Sequence, residues 1–506
     1  MLKSFPERAT LWSLLVLGGA VQHGCAPPGD LAAQRPNVLM IAVDDLNDWV
    51  GCLRGHPQAL TPNMDRLAAR GLLFTNAHCA APACNPSRAA LFSGLLPQSS
   101  GVWANDSAQR LDRTLPEARL LPTMFQEAGY LVLGTGKLLH SGGKDLFDEY
   151  FTVEQRWSPL PREAVDYTPE ELPTKATANP RHITRDSLGR EVVLPLNRMP
   201  SDRRPNQPAG ESFDWGPFDV PDEDFGDTQI TNWAIEQISS GSNQPFFLAV
   251  GYYRPHIPLW APKRFFERFL EEPGQLPEVR SDDLDDLGAS ARKWAREPVT
   301  AGSHATVEEY GQWAAAVEAY LASVSYVDHE IGRLLEALDG STASGNTVVV
   351  LWSDHGWHLG EKEHWGKWTG WERSTRVPVM IAPASRYSDG FAVGASSGQP
   401  VSLIDIYPTL AELCGLEPPE DLEGESLVPL LRDPATATER AVVTMFDPGN
   451  GSLRTDRWRY IRYADGSEEL YDHLSDPNEW NNLSGMQQHA DQLQELRRRM
   501  EPYVKE

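Results

Sequence analysis

Unbroken apolar runs that stop abruptly at polar groups recur along this chain. Asn37-Val38-Leu39-Met40-Ile41-Ala42-Val43 runs into Asp44-Asp45, and Thr347-Val348-Val349-Val350-Leu351-Trp352-Ser353 runs into Asp354-His355. Residues 245–252 form a third run, which leaves through Arg254-Pro255-His256-Ile257-Pro258; residues 129–135 form a fourth, which leaves through Gly136-Lys137-Leu138-Leu139-His140. Apolarity without alternation predicts strands buried on both faces, as in the middle of a parallel sheet. Helical spacing predicts helices over 63–70, closed by Gly71, over 228–238, and over 404–414. A capping box at Thr306-Val307-Glu308-Glu309 predicts one long helix through Leu338, ended by Asp339-Gly340. Strands alternating with helices predict an α/β fold: a central, mostly parallel sheet flanked by helices.

Alternating segments at 441–445, 458–463 and 469–472 predict a small antiparallel sheet, followed by a charged helix over about 487–500. The predicted organisation is a catalytic domain over 35–435 and a C-terminal α+β subdomain over 436–506. Two stretches lack clear strand signals. Residues 140–227 are polar and proline-rich and predict a long insertion shaping a cleft, and residues 271–305 predict an acidic loop. Within 361–368, Lys362 and Glu363 read as a solvated charged loop, while Lys367 stands among tryptophans.

Residues 1–34 are excluded from the fold. Lys3 and Arg8 precede an apolar run at 11–21 that is too short to span a bilayer, which predicts an export signal and a periplasmic or extracellular protein. Gly24-Cys25 offers a lesser alternative, a lipoprotein anchor on Cys25. The five cysteines show no Cys-x-x-Cys pairing, so a disulfide scaffold is not expected. The formal net charge of −26 argues against nucleic-acid or anionic-membrane binding, so any anionic substrate must be met by a local cluster of Lys, Arg and His.

Such a cluster has a natural centre in Cys84-Asn85-Pro86-Ser87-Arg88-Ala89-Ala90-Leu91-Phe92-Ser93-Gly94. Pro86 predicts a helix beginning near Cys84, whose N–H groups and dipole favour an anion, with Arg88 one turn on. A buried free cysteine beside a helix cap is the plainer alternative. Asp44-Asp45 beyond a strand end can hold a cation or cap a turn, and Lys137 with His140 can serve a site or simply face solvent. Two strands that both end in potential ligands favour the site.

Cys-x-Pro-Ser-Arg followed by Leu-x-Ser-Gly resembles the signature of the type I sulfatases. Val43-Asp44-Asp45, Gly136-Lys137-x-x-His140, Gly251-Tyr252-x-x-Pro255-His256-Ile257-Pro258 and Ser353-Asp354-His355-Gly356-Trp357 extend the resemblance over nearly the whole chain, in the iduronate-2-sulfatase-like branch. It implies an alkaline-phosphatase-like fold, and a Cys84 oxidised to formylglycine by a sulfatase-maturing enzyme. It further implies one Ca²⁺ bound by Asp44, Asp45, Asp354, His355 and the oxygen replacing the Cys84 sulfur. Lys137, Lys367, His140 and His256 would then surround a sulfate ester on a sulfated carbohydrate. His256, or else Lys367, would protonate the leaving oxygen, His140 would take a proton from the second formylglycine hydroxyl, and Arg88 would hold the formylglycine oxygen. Gly370 and Gly451 depart from the branch, which tends to carry a larger apolar residue and a histidine there; this bears on the sugar and not on the chemistry. A phosphomonoester or phosphonate-ester hydrolase and a non-catalytic sugar-binding relative are the rival readings.

Overall fold

The run Asn37–Val43 forms the middle strand of an eight-stranded sheet because both its faces are apolar. Leu39, Ile41 and Val43 enter one core and Val38, Met40 and Ala42 the other, each side chain fully buried. Each large one contributes roughly 1.5–3 kcal/mol by leaving water. The computed structural model describes residues 35–106, 109–153, 159–160, 166–171, 180–199, 213–242, 244–297 and 302–504.

The sheet runs in the order Ala395–Ser397, Leu72–Phe74, Val379–Ala382, Thr347–Ser353, Asn37–Val43, Phe246–Tyr252, Leu131–Gly136, Glu149–Phe151. Only Val379–Ala382 opposes its neighbours, so the mostly parallel expectation holds. Helices Pro62–Arg70, Gly226–Ser240 and Trp313–Asp339 line one face. Cys84–Ser93 and Ile406–Cys414 line the other. Four strands, Asn37–Val43, Leu131–Gly136, Phe246–Tyr252 and Thr347–Ser353, point their carboxyl ends the same way, the edge where such sheets bind ligands.

Several expectations are corrected. The 140–227 stretch holds strand Glu149–Phe151, which extends the main sheet. It also holds a three-stranded sheet of Asp166–Glu171, Pro180–Arg185 and Glu191–Leu194, and a strand, Trp215–Phe218, that pairs with Leu259–Pro262. The 271–305 stretch contains helix Ala289–Arg296. The long helix is two: Ser303, not Thr306, caps His304–Glu309 by accepting the Thr306 N–H, and Gly311, at φ +62°, turns the chain before Trp313–Asp339 begins. Lys362 is buried, not solvated, because it reaches Asp283 at 2.6 Å and the Glu479 carbonyl.

The C-terminal antiparallel sheet has four strands, Val442–Asp447, Asn450–Arg454, Trp458–Arg462 and Glu468–Asp472, one more than the alternation suggested. The added strand carries Gly451. A Cβ there would lie 2.1 Å from Met500 Cε of the terminal helix Ala490–Val504 and 2.7 Å from Met445 Sδ, so these methionines fill the space a histidine would need. Cys52, Cys79, Cys84 and Cys414 are free thiols. No described helix is long and apolar enough to cross a membrane, and residues 1–34, where the export signal and the Cys25 anchor are expected, lie outside the described residues.

Candidate active site

Cys84 opens helix Cys84–Ser93 after an extended Ala83, as the position of Pro86 requires. Its thiol is fully buried and ringed by cations: Lys367 Nζ at 3.0 Å, Lys137 Nζ at 3.3 Å and His355 Nε2 at 3.3 Å. Burial alone would push the thiol up, but Lys137, Lys367 and His355 overcome it and hold Cys84 well below the usual thiol range. His140 also faces the sulfur, and burial lowers its own pKa, so it is a neutral acceptor.

The carboxylates lie behind this ring. Lys137 pairs with Asp44, and Lys367 donates to Asp45 Oδ1 at 2.7 Å. Against burial, Lys137 holds Asp44 below the carboxylate range, and Asp45 holds Lys367 above the lysine range. Arg88 is 0% exposed and its fork is fully engaged: Nε to Asp354 Oδ2 at 2.8 Å, Nη2 to Asp44 Oδ1 at 3.2 Å, and Nη1 to the carbonyls of Lys137 and Leu138. No described hydrogen bond joins it to Cys84. Arg88 therefore sits behind the ligands and orients them.

His256 Nε2 lies 3.9 Å from Asp45 Oδ2, and its Nδ1 is 2.5 Å from the Ile257 carbonyl, which assigns the proton to Nδ1 and leaves Nε2 facing the site. His355 is fixed likewise by the Gly356 carbonyl, 3.0 Å from Nδ1. Atoms of Asp44, Cys84, Asp354 and His355 lie within 4.8 Å of one another, as do those of Asp44, Asp45, Cys84 and His256. This donor set fits a hard divalent cation. Burial pushes Asp354 up to about 7 despite Arg88, and Asp45 Oδ2 is buried with no hydrogen-bond donor, so the carboxylates have more acceptor capacity than the chain's cations use.

Supporting residues escaped the sequence reading. Asp45 adopts φ +61°, outside the usual range for a non-glycine residue, and is held there by Tyr320, whose hydroxyl donates to the Asp45 carbonyl at 2.8 Å and accepts from Asn47 N–H at 2.9 Å. Ser87 Oγ donates to the Asp354 carbonyl at 2.5 Å, and Ser353 Oγ accepts from Leu46 N–H at 3.0 Å. The loop that carries Lys367 is strained as well: Trp368 sits at φ +75°, a cost of about 1–3 kcal/mol for a side chain of that bulk.

Residues 36–416 match the sulfatase family model, and residues 360–506 match the model of the C-terminal region of N-sulphoglucosamine sulphohydrolase. A sulfatase of Formosa agariphila is 37% identical over 453 residues, covering 88% of this chain and 83% of the relative. Iduronate 2-sulfatase of Mus musculus is 30% identical over 450 residues, covering 81% and 74%. Among solved structures, a 2-O GAG sulfatase is similar with TM-score 0.68 and 22% identity over 93% of this chain and 92% of that one. A phosphonate monoester hydrolase of Silicibacter pomeroyi reaches TM-score 0.69 at 21% identity over 93% and 95%. The last two speak for the fold alone. Since the family model spans every one of Asp44, Cys84, Lys137, His256, Asp354 and Lys367, the chain belongs to the type I sulfatase family.

Proposed function

We propose that this chain is exported and hydrolyses sulfate monoesters of a sulfated carbohydrate, with a uronate 2-sulfate as the first substrate to try. The observation that carries the reading is the ring of Lys137, Lys367 and His355 around Cys84, backed by three buried aspartates. The similarity to iduronate 2-sulfatase supports the uronate.

Formylglycine made from Cys84 would supply, as its hydrate, the attacking hydroxyl. One Ca²⁺, held by Asp44, Asp45, Asp354 and His355, would supply charge that offsets the sulfuryl oxygens. The chain's residues do the rest. Lys137 and Lys367, whose ammonium groups now face the Cys84 sulfur, would hold two sulfuryl oxygens beside the nucleophile. His256, whose Nε2 faces the site while Nδ1 is held by the Ile257 carbonyl, is the group that would pass a proton to the departing sugar oxygen through Nε2, with Lys367 as the alternative donor. His140, neutral through burial, takes a proton from the remaining hydroxyl so that sulfate leaves. Arg88 keeps Asp44 and Asp354 in place throughout.

Turnover of uronate 2-sulfate disaccharides, alkyl and aryl sulfates, phosphate monoesters and phenyl phosphonates under one set of conditions tests this. The sulfate esters should have the highest kcat/KM. A phosphonate preference would favour the second reading, which the fold likeness to a phosphonate monoester hydrolase motivates. The cation has its own test. After chelation, Ca²⁺ at a hundred times its Kd should raise unfolding free energy by about 2.7 kcal/mol, measured by denaturant titration. Asp354→Asn should abolish that gain.

A further inference from the structure

Trp368 is part-buried beside the site lysine and belongs to none of the described apolar clusters. The other described tryptophans pack into an apolar cluster or, like Trp480, lie beneath a cation, here Arg280 at 5.8 Å. Trp368 alone has no cluster, no ring partner and no cation over it among the described residues, and it is only part-buried. Its backbone at φ +75° is an outlier for a bulky side chain, so the conformation is imposed from outside the residue.

The constraints are visible on both sides. Lys367, 2% exposed, reaches in to the Cys84 sulfur. The Trp368 N–H donates to the Pro82 carbonyl at 3.0 Å, two residues before Cys84. Thr369 is buried and donates to Ser374 Oγ at 2.8 Å, while Arg459 holds the Gly370 carbonyl at 3.0 Å. The loop thus keeps a strained, part-buried tryptophan one position from a site lysine. A bulky residue kept in this conformation beside the site, with part of its surface open to solvent, is available to a partner outside the chain. Aromatic rings at such sites offer a large, rigid apolar face, which suits the C–H face of a sugar and is indifferent to the chain's net negative charge.

We infer that Trp368 is a substrate-positioning residue whose indole stacks on a sugar ring of the carbohydrate while Lys367 meets its sulfate; this rests on the function proposed above. Trp368→Gly removes the ring yet keeps the left-handed backbone that glycine adopts freely, and Trp368→Phe restores a ring. The measurements are kcat and KM for a uronate 2-sulfate disaccharide and, by calorimetry, Kd for its desulfated product. Trp368→Gly should raise both KM and Kd about tenfold with kcat nearly unchanged, and Trp368→Phe should recover most of the loss. Unchanged KM and Kd in Trp368→Gly would overturn the inference, as would a fall confined to kcat, which would assign the residue to holding Lys367. If the wild type cleaves no sulfate ester but Trp368→Gly still weakens product binding, the proposed activity fails and the stacking role stands.

Discussion

Cys84→Ala should lower sulfate ester turnover at least about 10⁴-fold, a loss typical of removing a nucleophile, while leaving the fold intact. The side chain is small and sits at a helix start already stabilised by Pro86, so little packing is lost. What changes is charge: Lys137, Lys367 and His355 lose the anionic group that they face within 3.3 Å. They keep their carboxylate partners, Asp44 for Lys137 and Asp45 for Lys367, so the pocket should not collapse. Mass spectrometry of the peptide spanning Cys84 from the native host provides the companion result, a loss of about 18 Da for the change from cysteine to formylglycine. A native protein that retains the thiol and is equally active as Cys84→Ala would remove the nucleophile from the proposal.

The frame of this site was readable because each part is a local pattern. A continuous apolar run that breaks at Asp44-Asp45 or Asp354-His355 announces a buried strand with groups at its carboxyl end, and the structure brings those ends together. Lys137, His140 and His256 were legible for the same reason, as polar groups leaving neighbouring strands. What escaped depends on partners remote in sequence. Lys362 is flanked by Glu361 and Glu363 and looks solvated, but its ion pair is with Asp283, 79 positions away. Tyr320 lies within an apolar helical pattern, and only the fold shows its hydroxyl setting the backbone of Asp45, 275 positions away. Arg88 looked like a group aimed at the nucleophile. Its fork instead meets two carboxylates and two carbonyls, contacts that no spacing encodes.

Arg459→Ala should be the most destabilising single change outside the site, costing about 3–5 kcal/mol, because it strips a buried ion network of its central cation. Arg459 is 1% exposed on strand Trp458–Arg462 of the C-terminal sheet. It binds Glu372, reaches Glu479 Oε1 at 2.5 Å, and donates to the Gly370 carbonyl and Thr375 Oγ1, each at 3.0 Å. Without it Glu372 keeps Arg454 at 3.3 Å and Glu479 keeps His473 at 3.0 Å, and the part-buried Glu372 and buried Glu479 are left with less positive charge than they need. The urea midpoint measures the loss, and the double variant Arg459→Met, Glu479→Gln should lose less than the sum of its singles if the pair is coupled. A second effect distinguishes this network from mere glue. Gly370, Glu372 and Thr375 belong to the chain leaving Lys367, so freeing them should slow catalysis at temperatures where the protein is still folded, although Arg459 touches no reacting atom. An unchanged midpoint would show that Arg454 and His473 suffice. A lower midpoint with full activity would show that Lys367 is held by the Trp368–Pro82 hydrogen bond and its Asp45 pair alone.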